Sequence, residues 1–387
     1  MNLRINDSVL LLTGEGAYYS FDIKTKTLTR LNETAAMILG LANGNLTESE
    51  ILRSVLPLIG PDKLDKCRKW IAKAILKGLI TEQDTNTPAR NYDAKEIADI
   101  SANLLDQDEV RIAFLLQKRA AELAPADPFQ WYKLGELAHI TGDRALARSA
   151  YETYLESQPN DAEILHILKA LRNEPPPQRA PDECILKIYD RFAAFYEQTM
   201  TADLLYQAPN HLLKAIRDAL PHTSDLFALE LGCGTGLFGT RIRPICQRLV
   251  GVDISQAMLE KSAIRNVYDE LYCAEITAWL DQEPTHLFDL IAICDTLIYF
   301  GDLRQVLHAC LKHLKPEGLL AFTLEKSNVA PFQLGDSGRF RHHRNHVRDV
   351  ASESGLLFTH RSEKVLRREY GDNVIGLVTV LRNKQTT

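Results

Sequence analysis

An apolar run, Leu226-Phe-Ala-Leu-Glu-Leu231, leads straight into Gly232, Cys233, Gly234, Thr235 and Gly236. Glycines at a strand end permit a tight turn and let the backbone approach a ligand closely. A second run, Arg248-Leu-Val-Gly-Val-Asp253, ends in a carboxylate. An acid at the tip of a second strand can accept from both hydroxyls of a ribose. Together the runs predict a site for a nucleoside-bearing small molecule. Glu230 adds an acid at the end of the first strand, and Cys233 reads as a small loop residue whose backbone faces the ligand. A strand, a turn and a helix-compatible segment must stand behind these groups to position them.

At these residues the chain resembles the class I S-adenosylmethionine-dependent methyltransferases. Glu230 with Gly232, Gly234 and Gly236 matches the first motif of that family, and Asp253 matches its ribose-binding acid. Glu275, after Leu271-Tyr-Cys-Ala, stands where the family usually has an Asp facing the adenine amino group. Phe288 to Asp295 matches the fourth strand, and Leu311 to Glu325 matches the helix, turn and fifth strand. The resemblance covers roughly residues 185–383. It implies a Rossmann-like domain that binds S-adenosylmethionine and releases S-adenosylhomocysteine. It also assigns Cys233, Ile254, Ile276 and Asp295 to the cofactor site. The segment Ile185 to Tyr196 repeats its apolar positions at helical spacing. In related methyltransferases such a helix lids the cofactor, which implies that Tyr189 and Tyr196 cover the methionine end; plain helix core is the alternative. A nicotinamide dehydrogenase fits less well. Its fingerprint is Gly-x-Gly-x-x-Gly, whereas Glu230 here would repel a pyrophosphate and suits a sulfonium cation.

The chain has 387 residues, enough for two or three domains. Its composition, 45% apolar and 25% charged, is that of a soluble globular protein. A net charge of −6 disfavours broad nucleic-acid binding. No stretch has membrane-spanning length and Met1-Asn2-Leu3-Arg4 opens no signal-peptide pattern. The seven cysteines contain no C-x-x-C pair, so they read as thiols in a reducing cytoplasm, with no disulfide framework and no metal site.

Residues 1–90 read as a small α+β unit. Ser8 to Thr13 and Ala17 to Asp22 are strand candidates joined at Gly14-Glu15-Gly16, and Thr27 to Leu31 is a third. Asn32 is placed to cap a helix, Thr47-Glu-Ser-Glu50 opens another as a capping box, and Lys63 to Lys77 is an amphipathic third. Leu79-Ile80 returns as a strand. Strands followed by three helices describe a winged helix. The phrase from Tyr19 to Leu39 resembles the PqqD-like peptide-recognition domains of ribosomal-peptide biosynthesis. That resemblance implies a precursor peptide whose leader adds as a strand to the sheet edge. A winged helix can also bind DNA, but a solvated helix face explains the basic run Lys63 to Lys69 better, so no nucleic-acid partner is expected.

Residues 91–174 carry an internal repeat. Pro125 and Pro159, like Ala113 and Ala147, stand one period of about 34 residues apart, and Trp131, Leu134, Gly135, Ala138 and Tyr151 fit tetratricopeptide spacing. A further copy begins at Asp161 and stops. The repeats either offer a partner groove or space the flanking domains. Pro175-Pro-Pro177 and Pro181 mark a stiff linker over 175–184, and the methyltransferase-like domain takes 185–387.

The acceptor is expected at the fourth-strand tip, Asp295-Thr-Leu-Ile-Tyr299, which lacks an Asn/Asp-Pro-Pro-Tyr/Phe motif. Tyr299, His342 and His343 are the candidate catalytic residues, the histidines as bases near neutrality. The C-terminal half also resembles a bacterial group of repeat-carrying methyltransferases, through Asp295-x-x-x-Tyr299-x-Gly-Asp302 and Gly338-Arg-Phe-x-His342. The reading is a multidomain α/β cytoplasmic methyltransferase acting at O or N of a precursor peptide, with no membrane partner and with a homodimer left open. The alternative is a small-molecule methyltransferase whose N-terminal unit docks a carrier or partner protein.

Overall fold

A computed structural model describes residues 1–14, 16–84, 88, 90–192, 196–198, 200, 204–220, 224–282, 286–369 and 372–384. The chain divides into two compact units, Met1–Pro159 and Asn160–Thr387.

The first unit opens with strands β1 (Asn2–Ile5), β2 (Val9–Gly14), β3 (Ala17–Asp22) and β4 (Thr27–Leu31). Helix α1 (Glu33–Leu41), strand β5 (Asn43–Thr47), helices α2 (Glu48–Ile59) and α3 (Leu64–Leu76) and strand β6 (Ile80–Gln83) follow. They make two antiparallel sheets, β2-β3-β4 and β5-β1-β6. The expected strands stand close to their predicted bounds; of the turn joining β2 to β3, Glu15 lies outside the described residues. The Asn32 carboxamide accepts from the Ala35 amide at 2.8 Å, and Thr47 with Glu50 closes both halves of a capping box. Strands β1 and β5 were not anticipated. Asn43-Gly-Asn-Leu-Thr47 is too polar to read as a strand, yet its backbone pairs with β1 in the register Asn2↔Thr47.

Helices α4 (Ala94–Leu105), α5 (Val110–Leu123), α6 (Pro128–Ile140) and α7 (Arg144–Ser157) pack consecutively. Asp93, Asp127 and Asp143 cap three of them through their carboxylates. Small residues set the helix spacing: Ala113 and Ala147 are fully buried, and any side chain at Gly135 would collide with the Tyr151 ring.

The second unit begins with α8 (Ala162–Leu171) and α9 (Asp182–Phe192), which pack together. A short turn α10 (Tyr196–Gln198) and helix α11 (Ala208–Ala219) precede the sheet. Its strands and helices run β7 (Leu226–Leu231), α12 (Gly239–Ile242), β8 (Cys246–Asp253), α13 (Gln256–Ile264), β9 (Glu270–Cys273), α14 (Ile276–Gln282), β10 (Phe288–Ile293), α15 (Arg304–Lys312) and β11 (Leu314–Ser327). Strands β12 (Phe332–Leu334) and β13 (Phe340–His343), helix α16 (Arg344–Glu353), and strands β14 (Leu356–Glu369) and β15 (Asp372–Asn383) complete it.

Strands β9, β8, β7, β10 and β11 lie side by side and parallel. Strand β15 joins β11 antiparallel, and β14 pairs with β15. The buried strands are near-continuous apolar runs, such as Leu-Ile-Ala-Ile in β10, because helices cover both faces. The order reverses at β7, where the chain stops adding strands on one side and begins on the other. Such a reversal opens a crevice at the carboxyl ends of the flanking strands.

The proline-bearing segment 175–184 is not a free spacer. Its backbone runs beside the loop after β10: the Ala180 amide donates to the Tyr299 carbonyl at 2.8 Å, and the Gly301 amide donates to the Gln178 carbonyl at 2.7 Å.

Candidate active site

Each parallel strand delivers its last residues to the same edge. The loop after β7 supplies Gly232 and Gly234, β8 ends in Asp253, the turn after β9 supplies Glu275, and β10 is followed by Cys294, Asp295 and Thr296. Together with Arg179, Ile185, Tyr189, Tyr196, Ile254, Met258, Ile276, Tyr299 and Phe300 they line a partly open cleft.

Two glycines are structurally required. Gly232 has φ +71°, and a side chain there would collide with Thr296, whose hydroxyl donates to the Gly232 carbonyl at 3.2 Å. Gly234 has φ +53°, and a Cβ there would enter open space, so this is where the backbone leaves room for a ligand. The loop is held by Asp253. Its Oδ2 accepts from the Gly234 amide at 2.8 Å and its Oδ1 from the Ser255 amide at 2.9 Å. Burial pushes the Asp253 carboxyl up, and these amide bonds oppose that rise.

Glu275 also lines the cleft. One oxygen accepts from the Ala278 amide at 2.8 Å and from the Thr277 hydroxyl. The other, Oε1, is 3.1 Å from Arg179 Nη1 but out of hydrogen-bond alignment, and it is buried with no hydrogen-bond partner. Tyr189, from α9, meets Tyr299 hydroxyl to hydroxyl at 2.9 Å, and Tyr196 packs edge-on to Tyr189 with ring centroids 6.1 Å apart. Of the expected lid segment, residues 193–195 lie outside the described residues.

Asp295 has φ +59° and is anchored from outside the cleft by Arg367 of β14, whose Nη1 lies 2.9 Å from its Oδ2. Arg367 is almost completely buried and also pairs with Glu325 and, at 2.7 Å, with Glu369. Burial raises the Asp295 carboxyl and Arg367 opposes it. Arg339 and Arg367 hold the Glu369 carboxyl down at about 2, against its own burial.

Five of the anticipated residues do not line the cleft. Glu230 is buried beneath the glycine loop and accepts from the Tyr268 hydroxyl at 2.8 Å. Desolvation pushes its carboxyl up to about 8, so near neutrality it is largely protonated and is no counter-charge for a cation. Cys233 is buried with its thiol pushed far up by burial, and Gly236 backs onto Arg265, Ser262 and Tyr268. His342 is fully buried; one ring nitrogen, Nε2, faces the Gly301 carbonyl at 3.0 Å and the other has no hydrogen-bond partner. Burial drives it down to about 4, the opposite of what a base poised near neutrality needs. His343 is the N-cap of α16, accepting from the Asn345 amide at 3.2 Å. Phe332 of β12 packs against both Phe340 and His342, the two residues that β13 turns inward. The sequence had not marked Arg179, Ile185, Met258, Cys294 and Phe300 as lining residues, and it held Thr296 only within the acceptor stretch Asp295 to Tyr299. Met258, Cys294, Thr296 and Phe300 lie within a few positions of the motifs; Arg179 sits in the proline-bearing segment, where no motif points.

Residues 229–320 match the family model described as "Methyltransferase domain". The chain is similar to the ubiquinone biosynthesis O-methyltransferase of Idiomarina loihiensis, with 29% identity over 30% of this chain and 49% of the relative. It is also similar to nodulation protein S of Rhizobium tropici, with 31% identity over 24% of this chain and 41% of the relative. Both matches span less than half of the relative's length. The N-methyltransferase NodS from Bradyrhizobium japonicum WM9, solved in complex with S-adenosyl-L-homocysteine, superposes with a TM-score of 0.42 at 20% identity, over 52% of this chain and 98% of that one. Among the described residues, no helix is long and apolar enough to cross a membrane.

Proposed function

We propose that the chain is an S-adenosylmethionine-dependent methyltransferase. The observation that carries the reading is the convergence on one cleft of the open backbone at Gly234, the carboxylate of Asp253 and Glu275, whose Oε1 faces the Arg179 guanidinium but accepts no hydrogen bond. An adenosine ligand needs a close backbone approach, a diol acceptor and an acceptor for an exocyclic amine, and these residues fit all three. When bound, S-adenosylmethionine supplies an electrophilic methyl group and leaves as S-adenosylhomocysteine. Asp253 would hold its ribose, Glu275 and Ile276 its adenine, and the Tyr189–Tyr196 pair its methionine end.

The acceptor would lie against Asp295, Thr296, Tyr299 and Phe300. Burial raises the Tyr299 phenol, which therefore keeps its proton and positions rather than abstracts. With His342 sealed in the core and His343 spent on a helix cap, these residues work by placing the nucleophile in line, which can supply much of the rate. Calorimetry with S-adenosylhomocysteine tests the cofactor reading; no heat of binding from the folded chain would end it.

For the acceptor, the reading is a ribosomally made precursor peptide, held through its leader by the N-terminal unit. It is supported by the edge strands β2 and β4 of the β2-β3-β4 sheet, which present unpaired backbone groups to an added strand. Deleting residues 1–83 should then raise the KM for a full precursor far more than it weakens cofactor binding. The names of the relatives favour a second reading, a small-molecule acceptor. That reading requires the deletion to leave turnover unchanged in a protein still folded by circular dichroism.

A further inference from the structure

We propose that Arg179 is a positioning residue for the adenosine end of the ligand, acting through Glu275 and setting the preference for an amino-bearing base. The proposal rests on the S-adenosylmethionine reading above. Arg179 lies upstream of every methyltransferase-like motif, yet the segment around it is fixed to the cleft wall. Residues 178–180 run beside the loop after β10, with Ala180 bonded to Tyr299 and Gln178 bonded to Gly301. The guanidinium lies over the Phe300 ring, 5.5 Å from its centroid, and pairs with Asp182 of α9. Its Nη1 reaches Glu275 Oε1 at 3.1 Å. Arg179 is the one cation among the described residues that line the cleft, against the carboxylates of Asp253, Glu275 and Asp295.

The two oxygens of Glu275 are thereby treated differently. Oε2 is spent on the backbone and hydroxyl of its own helix. Oε1 is held by charge without an aligned hydrogen bond, so its lone pair is kept in place and left for a donor. A guanidinium is planar and permanently charged, so it fixes the carboxylate without being consumed by it. An amino group on the incoming base satisfies Oε1. A carbonyl at the same place would meet an acceptor with an acceptor. Arg179 thus favours adenosine over inosine by keeping Glu275 aimed into the cleft.

The test is equilibrium binding of adenosine, inosine and S-adenosylhomocysteine to the full chain and to R179A, R179K and E275Q. R179A should weaken adenosine and S-adenosylhomocysteine by the same factor, about tenfold, the scale of a charge-assisted hydrogen bond. Inosine should be nearly unaffected, so the adenosine-to-inosine ratio collapses. R179K should restore part of the ratio, and R179A placed on E275Q should add little. Circular dichroism identifies any unfolded variant, and R179K with E275Q then carries the test. An unchanged ratio in folded R179A overturns the proposal, and so does an equal loss for both nucleosides, which marks a purely structural residue. Wild-type protein that binds neither adenosine nor S-adenosylhomocysteine overturns the cofactor reading itself.

Discussion

Tyr189 and Tyr299, 110 residues apart in the chain, share a hydroxyl–hydroxyl hydrogen bond of 2.9 Å across one wall of the cleft. The bond ties helix α9 to the loop after β10. Replacing Tyr189 with Phe removes one partner and strands the buried Tyr299 hydroxyl, which should cost about 1–2 kcal/mol of stability. The double variant Y189F/Y299F should be no less stable than Y189F alone, because no polar group is then orphaned. Urea unfolding of the two variants and the wild type measures this directly.

Asp253 is expected to serve the ligand and the loop at once. Asp253→Ala removes the acceptor for the Gly234 amide and for a ribose diol together. The loss in S-adenosylhomocysteine affinity should be about 1.5–3 kcal/mol, the range for charge-assisted bonds. Equal affinities by calorimetry would remove the ribose assignment.

Glu230 predicts a pH dependence of stability. Its carboxyl rises from the ordinary 4.5 to about 8 in the fold, so the folded protein holds a proton that the unfolded chain releases. Stability contributed by Glu230 is therefore fully present below about 4.5 and is lost as pH rises toward 8. The expected loss across that window is a few kcal/mol at most, since a tenfold change in proton affinity is worth about 1.4 kcal/mol. Glu230→Gln should remove this slope, as read by unfolding free energies at pH 5 and pH 8.

His342 predicts the opposite slope and no role in proton transfer. Its value falls from 6.5 to about 4, so the stability it contributes is present above 6.5 and is lost as pH drops toward 4. His342→Asn should flatten that acid limb. His343→Ala should cost about 0.5–2 kcal/mol, the range for a lost helix cap, with turnover near neutrality unchanged. A bell-shaped rate profile that disappears in either variant would restore a catalytic histidine.

Arg367 binds three carboxylates at the edge of the site. Arg367→Ala should destabilise the chain by about 3–5 kcal/mol, because Asp295 is left buried without its cation and Glu325 keeps only the more distant Arg341 and Arg339. Thermal or urea unfolding checks this, and a near-neutral result would show that the charges re-pair with Arg339.

The legible parts of the sequence were those in which local pattern and tertiary role agree. The run Leu226 to Leu231 is apolar because β7 is covered on both faces, and Gly234 is glycine because the backbone takes φ +53° there beside the cleft. Asp253, Glu275, Asp295 and Tyr299 were legible because Asp253 closes β8 and the others follow β9 and β10 within a few residues at the same sheet edge. The histidines misled, because exposure is not written in residue type: His342 alternates inward on β13 with Phe340. Strand β14 was missed because its polar alternation, through Arg361, Glu363 and Lys364, resembles a loop, and with it went Arg367. Glu230 carries the family pattern, but its burial depends on Tyr268, which only folding brings to it.

The pairing of Gln178–Ala180 with the loop after β10 redraws where the catalytic unit can be cut. A fragment begun at Ile185, as the proline-rich stretch invites, would lose part of its own cleft wall, Arg179 and the backbone partner of Tyr299, and with them α8, whose His166 holds the Gly338 carbonyl at 3.0 Å. Such a fragment would keep every recognisable motif and still lack a finished pocket, so weak binding by it would report the cut and not the chemistry. Begun at Asn160, the fragment keeps them all, and its activity becomes a fair measure of what residues 1–159 add.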